Sequence, residues 1–165
     1  MNDHSKRTFL RTAFAAVAGL ATSSFWASSA LARKAFAVVK SDAEWRKILS
    51  PMAYRVLRKE HTESPFSSPL NDEKRNGNFV CAACDQKLYN SRTKYDSGTG
   101  WPSFWRPIKG AVGTKADYGL HLPRTEVHCS RCGGHLGHVF NDGPKPTGKR
   151  YCMNGVALAF HPAPA

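Results

Sequence analysis

Cysteine is the residue type with the most evident chemistry in this sequence of 165 residues, which contains five cysteines. Four of them form two Cys-x-x-Cys pairs, and each pair presents two sulfurs from one tight turn. Four thiolates are a typical ligand set for a tetrahedral structural zinc ion, and the glycines that follow the second pair favour such a turn. The sequence therefore predicts one structural Zn²⁺ bound by Cys81, Cys84, Cys129 and Cys132.

Two disulfide bonds are the alternative interpretation of these four cysteines, since the chain is also predicted to be exported. A disulfide within one Cys-x-x-Cys pair closes a minimal loop and constrains little of the unfolded chain. Bonds between the pairs would constrain more of it, but zinc explains the paired spacing directly. In either case the fifth cysteine, Cys152, has no thiol partner in its own chain.

Cys152 lies in a predicted strand with the sequence KRYCMNG, residues 149–155. Side chains alternate along a strand, so Arg150, Cys152 and Asn154 should share one face. A neighbouring cation favours the thiolate, which is the nucleophilic form of cysteine, and the amide of Asn154 can hold a polar group of a ligand. The alternative is a buried, inert cysteine, although Arg and Asn are unusual neighbours in a dry core.

Two histidines spaced three apart, His135 and His138, are candidates for proton transfer near neutral pH. On a regular strand they would face opposite ways, and the glycines around them argue against a helix. A bulge or turn at residues 136–137 would bring both imidazoles to one site. Asp142 is close enough in sequence to orient one of them.

The segment GTGWPSFW at residues 98–105 provides a candidate pocket wall. Pro102 favours an extended backbone at Trp101, and the glycines before it let the chain turn sharply. An indole placed in this way can line an apolar pocket or contact a methyl group with its face. Phe104 and Trp105 are expected in the core.

These residues must be positioned by short elements. Ser41 and Glu44 form a predicted capping box for a helix that ends near Leu49, and the pair Ser50-Pro51 begins a second helix that ends near Lys59. A strap rich in Pro and Ser follows at residues 61–76. Strands between turn residues are then predicted at 78–81, 87–90, 111–116, 124–128, 136–140 and 149–160. The sequence predicts a mainly β domain, with two small N-terminal helices packed on antiparallel strands.

The first 32 residues have the features of an export signal. A cationic head is followed by an apolar run at 13–21 and by the Ala-Leu-Ala sequence at 30–32, a pattern that signal peptidase recognises. The run is shorter than the roughly 20 residues that span a bilayer. We therefore predict a signal peptide at 1–32, a mature domain at 33–165 and a periplasmic location.

Several routes of export are compatible with the sequence. The head SKRTFLR resembles a twin-arginine signal, with Lys6 in the place of the first arginine. General secretion, an uncleaved anchor and a mitochondrial presequence are alternatives. The chain is predicted to contact a membrane only through an uncleaved signal.

The net charge of +12 raises the expectation of an anionic partner such as a nucleic acid. However, the lysines and arginines are scattered, and no run of them exceeds two. We therefore interpret them as a solubilising surface and predict no nucleic-acid partner.

Together these segments resemble the methionine-R-sulfoxide reductase family across residues 41–160. The resemblance depends on both cysteine pairs and on TExPF at 62–66, KYDSG at 94–98, GWPSF at 100–104, RTEV at 124–127, HLGHVF at 135–140 and RYCxN at 150–154. It implies two antiparallel sheets, with the zinc site away from the catalytic cysteine.

The resemblance also implies a role for each candidate residue. Cys152 would attack the sulfur of methionine sulfoxide in oxidised proteins and become a sulfenic acid. Trp101 would pack on the methyl group of the substrate, and His138 would deliver a proton to its oxygen. The polar groups around the sulfoxide would be His135, His138, Asp142, Arg150 and Asn154.

The sequence departs from the family pattern at two positions. Thr99 occupies a position where many members have a resolving cysteine, so a thioredoxin-like protein or a small thiol should reduce Cys152 directly. Ala159 stands where a basic residue is common. One competing class is a zinc-ribbon binding module, which gives no role to Cys152, Trp101 or the paired histidines. The other is a different thiol-dependent enzyme, against which the GWPSF and RYCxN motifs argue together.

Overall fold

A computed structural model of the chain describes residues 36–119 and 122–164. The predicted signal peptide at 1–32 therefore lies outside the described residues. Within the described ranges, no helix has both the length and the apolar character that crossing a membrane requires.

Two short helices begin the described fold, α1 at Asp42–Ile48 and α2 at Pro51–Lys59. The capping box is formed as predicted, because the side chain of Ser41 accepts from the backbone N–H of Glu44, whose carboxylate accepts from the backbone N–H of Ser41. Ser50 caps α2, with Pro51 in its first turn. The helices bury their apolar faces in the core through Trp45, Ala53, Tyr54, Val56 and Leu57.

Nine strands follow in the described residues. They are β1 Gly77–Cys81, β2 Lys87–Asn90, β3 Lys94–Tyr95, β4 Ser103–Phe104, β5 Val112–Asp117, β6 Arg124–Cys129, β7 His135–Phe140, β8 Arg150–Met153 and β9 Leu158–Pro162. The predicted segments correspond to seven of them. The sequence reasoning missed β3 and β4, because strands of two residues are too short to show an alternating pattern.

The strands form two antiparallel sheets, which confirms the predicted fold class. The smaller sheet has the order β2–β1–β9, and the larger has the order β3–β4–β8–β7–β6–β5. Aromatic rings join them in the core: Phe104 of the larger sheet stacks on Tyr89 at 4.2 Å and meets Phe79 edge-on at 4.9 Å.

The predicted single strand at 149–160 is wrong. It is divided into β8 and β9, which belong to different sheets, by a 3₁₀ turn at Gly155–Ala157. The cause is Glu63, which is buried in the strap and accepts from the backbone N–H groups of Gly155 at 2.5 Å and Val156 at 3.0 Å. Because the carboxylate satisfies these buried donors, the backbone can leave the sheet here.

A bulge in β7 is the local feature that shapes the larger sheet. Val127 pairs with Gly137, but the next residue, His128, pairs with His135, so Leu136 is the extra residue. Gly137 has φ 154°, and a Cβ added there would collide with the carbonyl oxygen of Cys152. The close approach of β7 and β8 therefore requires glycine.

We expect Gly137→Ala to lower the free energy of unfolding by about 2 kcal/mol or more, because backbone of β8 occupies the space that the new methyl group needs. Urea denaturation of the two proteins measures this difference. Gly148→Ala is the matched control, since Gly148 also has positive φ, 67°, but open space around its Cα. It should cost only about 1 kcal/mol of backbone strain. Equal losses in the two variants would contradict this account of Gly137.

Candidate active site

A row of polar side chains crosses the larger sheet. The register places Glu126 opposite His138, His138 opposite Cys152, Cys152 opposite Ser103, and Ser103 opposite Tyr95. Residues paired across antiparallel strands point to the same face of a sheet. The sheet itself therefore brings a thiol, an imidazole and hydroxyl groups to one surface.

Cys152 opens into a cavity of about 110 Å³ on this face. The indole of Trp101 and the ring of Phe140 provide apolar walls, and the imidazole of His138 faces the same space. This arrangement suits a small ligand with both an apolar and a polar end. The residues that line the cavity are Thr62, Trp101, Arg124, Gly137, His138, Phe140, Cys152 and Asn154.

Trp101 and Asn154 are both fastened to the strap through Glu63. The indole Nε1 of Trp101 donates to the carbonyl oxygen of Glu63 at 3.3 Å, and the backbone N–H of Glu63 donates to Oδ1 of Asn154 at 2.9 Å. The amide of Asn154 also donates to the carbonyl oxygen of Leu136 at 3.1 Å. Asn154 thus lines the cavity but lies beyond the end of β8, and these bonds fix its position.

His138 is held by a carboxylate that the sequence reasoning did not identify. Its Nε2 lies 2.7 Å from Oδ2 of Asp117, at the end of β5, and Arg124 donates to the same oxygen at 2.7 Å. The pKa of Asp117 is far below its usual range because the backbone N–H of Gly119, and then His138, bind the carboxylate. Burial lowers the pKa of His138, and the bond to Asp117 opposes that effect. The contact with Asp117 occupies Nε2, so Nδ1 is the other ring nitrogen through which His138 could act on a ligand.

His135 lies beside His138 but does not line the cavity. The two rings meet edge-on at 5.3 Å, as the predicted bulge requires. Nδ1 of His135 is 2.8 Å from Glu126, whose other oxygen forms an ion pair with Lys115 at 2.9 Å. Burial lowers the pKa of His135 to about 4, so the ring is neutral at pH 7 and donates from Nδ1 to Glu126. His135 therefore packs against the ring of His138 and does not reach the cavity.

The prediction that Asp142 orients a histidine is wrong. Asp142 follows the end of β7 in the chain, and Phe140 pairs there with Arg150 of β8. Arg150 consequently binds Asp142 through two hydrogen bonds of 2.9 Å and 2.7 Å. Its guanidinium also lies over the ring of Phe140, 4.3 Å from the centroid. The pair supports a wall of the cavity without lining it.

Apart from this cavity, the four paired cysteines meet in one cluster, where their sulfurs all lie within 4.8 Å of one another. The Sγ atoms of Cys81 and Cys132 are 3.8 Å apart, and those of Cys84 and Cys129 are 3.6 Å apart. A tetrahedral ion with bonds of about 2.3 Å requires sulfurs about 3.8 Å apart, so the cluster can hold a metal ion. The alternative of two disulfides is not what the structure shows, because all four thiols are free.

The cluster joins the two sheets. Cys81 ends β1 of the smaller sheet and Cys129 ends β6 of the larger sheet, while Cys84 and Cys132 lie in the turns that follow. A metal ion bound here would hold the sheets together at these strand ends.

Comparison with known proteins places this arrangement in a family. The model of the SelR domain family matches residues 49–162. A peptide methionine sulfoxide reductase MsrB from Methanosarcina barkeri is 56% identical over 125 residues, which cover 75% of this chain and 88% of that protein. The proteins of the same name from Leptospira interrogans and Agrobacterium fabrum are each 52% identical over 126 residues. Those alignments cover 76% of this chain and, respectively, 96% and 93% of the relatives.

We expect Asp117→Asn to lower the pKa of His138, because the carboxylate that favours the imidazolium is removed. NMR titration of the imidazole signals measures the change. Asp142→Asn is the matched control and should leave the titration of His138 unchanged, since Asp142 binds Arg150 instead. An equal change of the His138 pKa in both variants, or a rise of that pKa in Asp117→Asn, would contradict the assignment of Asp117 as the partner of His138.

Proposed function

Because the chain belongs to the SelR domain family, we propose that it reduces methionine-R-sulfoxide in oxidised proteins, and free methionine-R-sulfoxide as a second substrate, to methionine. The observation that carries the proposal is the position of the Cys152 thiol in a cavity between an indole wall and a histidine. The relatives named as peptide methionine sulfoxide reductases support the reaction type.

The proposed chemistry transfers one oxygen atom to Cys152. The thiolate attacks the sulfoxide sulfur and forms a sulfur–sulfur bond, while the sulfoxide oxygen takes up a proton. The hydroxyl oxygen then bonds to Sγ of Cys152 as its bond to the substrate sulfur and the new sulfur–sulfur bond both break. Methionine leaves reduced by two electrons, and Cys152 is oxidised by two electrons to a sulfenic acid. Such a step requires a proton donor beside the oxygen.

His138 is the proposed proton donor. It lines the cavity with Cys152 and is opposite Cys152 in the β7–β8 register. Asp117 binds its Nε2 and stabilises the imidazolium, so that the proton is delivered from Nδ1. His135, fixed by Glu126, holds the ring of His138 in place.

Three contacts of the sulfoxide would distinguish its two epimers. We propose that the sulfur faces Cys152, the oxygen faces His138, and the methyl group packs on Trp101 and Phe140. Exchanging the oxygen and the methyl group would place the oxygen against the indole, without a hydrogen-bond donor for its partial charge. The pocket therefore selects one hand, and the resemblance to the methionine-R-sulfoxide reductases identifies it as R.

We propose that the cysteine cluster binds one structural Zn²⁺. The sulfur separations and the thiolate ligands fit this ion. None of the four ligands lines the cavity at Cys152, so the ion would stabilise the fold and would take no part in the reaction.

Recycling of the oxidised enzyme would then require an external reductant. Four thiols are committed to zinc, and the group beside Cys152 is the hydroxyl of Thr99, whose Oγ1 lies 3.8 Å from Sγ. We propose that a thioredoxin-like protein or a small thiol attacks the sulfenic sulfur directly and forms a mixed disulfide.

The export proposal depends on the sequence alone. Residues 1–32 retain the features of a twin-arginine-like signal, and a zinc site filled before export escapes competition from disulfide-forming catalysts in the periplasm. Cell fractionation should find the mature protein, beginning near Arg33, in the periplasm; full-length protein in the cytoplasm would argue against export.

Activity should be confined to the R epimer. A peptide with a racemic sulfoxide should be reduced to about half and no further, and Cys152→Ser should lower the rate by at least about a thousandfold because the nucleophile is lost. Chiral chromatography of the residual sulfoxide gives the measurement. Complete consumption, or activity that survives Cys152→Ser, would refute the proposed reaction.

Metal analysis should find one zinc per chain. Cys84→Ser should lose the metal and at least about 3 kcal/mol of stability, because three thiolates form an incomplete site. Cys152→Ser is the control, with full zinc content and unchanged stability, since Cys152 is outside the cluster. Metal-free wild-type protein of equal stability would contradict the structural role of zinc.

A further inference from the structure

A row of three hydroxyl groups leads from Cys152 into the protein. Oγ1 of Thr99 is 3.8 Å from Sγ of Cys152, and Oγ of Ser97 is 2.8 Å from Oγ1 of Thr99. Oγ of Ser103 is 2.7 Å from Oγ of Ser97 and donates to the carbonyl oxygen of Trp101 at 3.1 Å. The row thus joins the reactive sulfur to a backbone acceptor.

The positions of these hydroxyls are fixed by separate parts of the fold. Ser103 is fully buried and is the cross-strand partner of Cys152 in β4 and β8. Thr99 stands between Gly98 and Gly100, whose φ values of 70° and 92° turn the loop toward the sulfur. Ser97 bridges the strand residue and the loop residue.

Proton counting shows how the row responds to the charge on the sulfur. Each hydroxyl donates one hydrogen bond at a time. When Cys152 is a thiol, Ser103 donates to the Trp101 carbonyl, Ser97 to Ser103, and Thr99 to Ser97. When Cys152 is a thiolate, the three hydroxyls can rotate, so that Ser103 donates to Ser97, Ser97 to Thr99, and Thr99 to the sulfur.

We propose that Thr99 is the hydrogen-bond donor to the Cys152 thiolate. Ser97 and Ser103 support it, because the hydrogen bonds between the three hydroxyls reverse their donor and acceptor roles when the thiolate forms. No proton crosses the row, because each hydroxyl keeps its own hydrogen. A hydrogen bond to a charged acceptor is stronger than one between neutral groups, so the thiolate gains more than the Trp101 carbonyl loses. The inference rests on the proposed role of Cys152 as the nucleophile.

Other charged or titratable groups, in the cavity wall or beside it, contribute to the field at the sulfur of Cys152. They come from β3, β6, β7 and β8 and are, in that order, Tyr95, Arg124, His138 and Arg150. Substitution of Thr99 leaves all of them in place. The hydroxyl contribution can therefore be separated from theirs by comparing variants at this one position.

The test is the alkylation of Cys152 by iodoacetamide across a pH range, in resting zinc-loaded protein without substrate. Only the thiolate reacts, and intact mass reports the rate. Because no sulfoxide is present, the result does not depend on whether the chain reduces one. Thr99→Val removes the hydroxyl at nearly constant shape, and Thr99→Ser retains it.

We expect Thr99→Val to move the midpoint of the pH–rate profile up by about one pH unit, which corresponds to a roughly tenfold slower reaction below the midpoint. Thr99→Ser should follow the wild-type profile. Ser97→Ala should move the midpoint in the same direction by a smaller amount, because Thr99 keeps its hydroxyl but loses the group that donates to it.

Superimposable profiles of wild type and Thr99→Val would overturn the proposal. An equal displacement in Thr99→Ser would also overturn it, because it would indicate an effect of side-chain shape. An unchanged profile in Ser97→Ala would overturn it as well, because it would show that Ser97 does not support Thr99. Zinc content verifies that each variant is folded. Thr99→Ala replaces Thr99→Val if the branched side chain is not tolerated, and the same outcomes then decide.

Discussion

The buried carboxylate of Glu63 is the constraint on which the geometry of the cavity depends. It binds the N–H groups of Gly155 and Val156, where the chain leaves the larger sheet. The backbone of the same residue binds the indole of Trp101 and the amide of Asn154. One position of the irregular strap therefore sets the end of β8 and the wall of the cavity together. Loss of this buried acceptor would leave two backbone donors without partners, which is costly in a low-dielectric interior.

The remaining geometry follows from the register of the larger sheet. The bulge at Leu136 and the missing side chain at Gly137 let β7 and β8 approach closely, so that His138 faces Cys152. The sulfur of Cys152, the imidazole of His138 and the hydroxyl row then lie on paired strands and on one short loop. This pre-organisation is what a step with a charged nucleophile requires, because dipoles that are already oriented need no rearrangement during the reaction.

The sequence predicts those features whose signals are local. The capping box at Ser41 and the Ser50-Pro51 pair mark the helices, the two cysteine pairs mark the cysteine cluster, and the spacing of His135 and His138 indicates the bulge. The partners of the histidines could not be predicted, because Asp117 and Glu126 reach them from neighbouring strands whose register no local pattern specifies. Asp142 is the acidic residue nearest to His138 along the chain and is therefore the predicted partner, but β8 places Arg150 beside it. The break at Gly155 was missed for the same reason, since its cause is the distant Glu63.

The central claim is that the Cys152 sulfur accepts the oxygen of the substrate and has no thiol partner within the chain. A single turnover with excess sulfoxide and no reductant tests it most directly, when the products are trapped with dimedone and analysed by mass spectrometry under non-reducing conditions. The account predicts one equivalent of methionine per chain, a dimedone adduct on Cys152 and no intramolecular disulfide. Methionine formed without an adduct, or with Cys152 joined to Cys81, Cys84, Cys129 or Cys132, would contradict it.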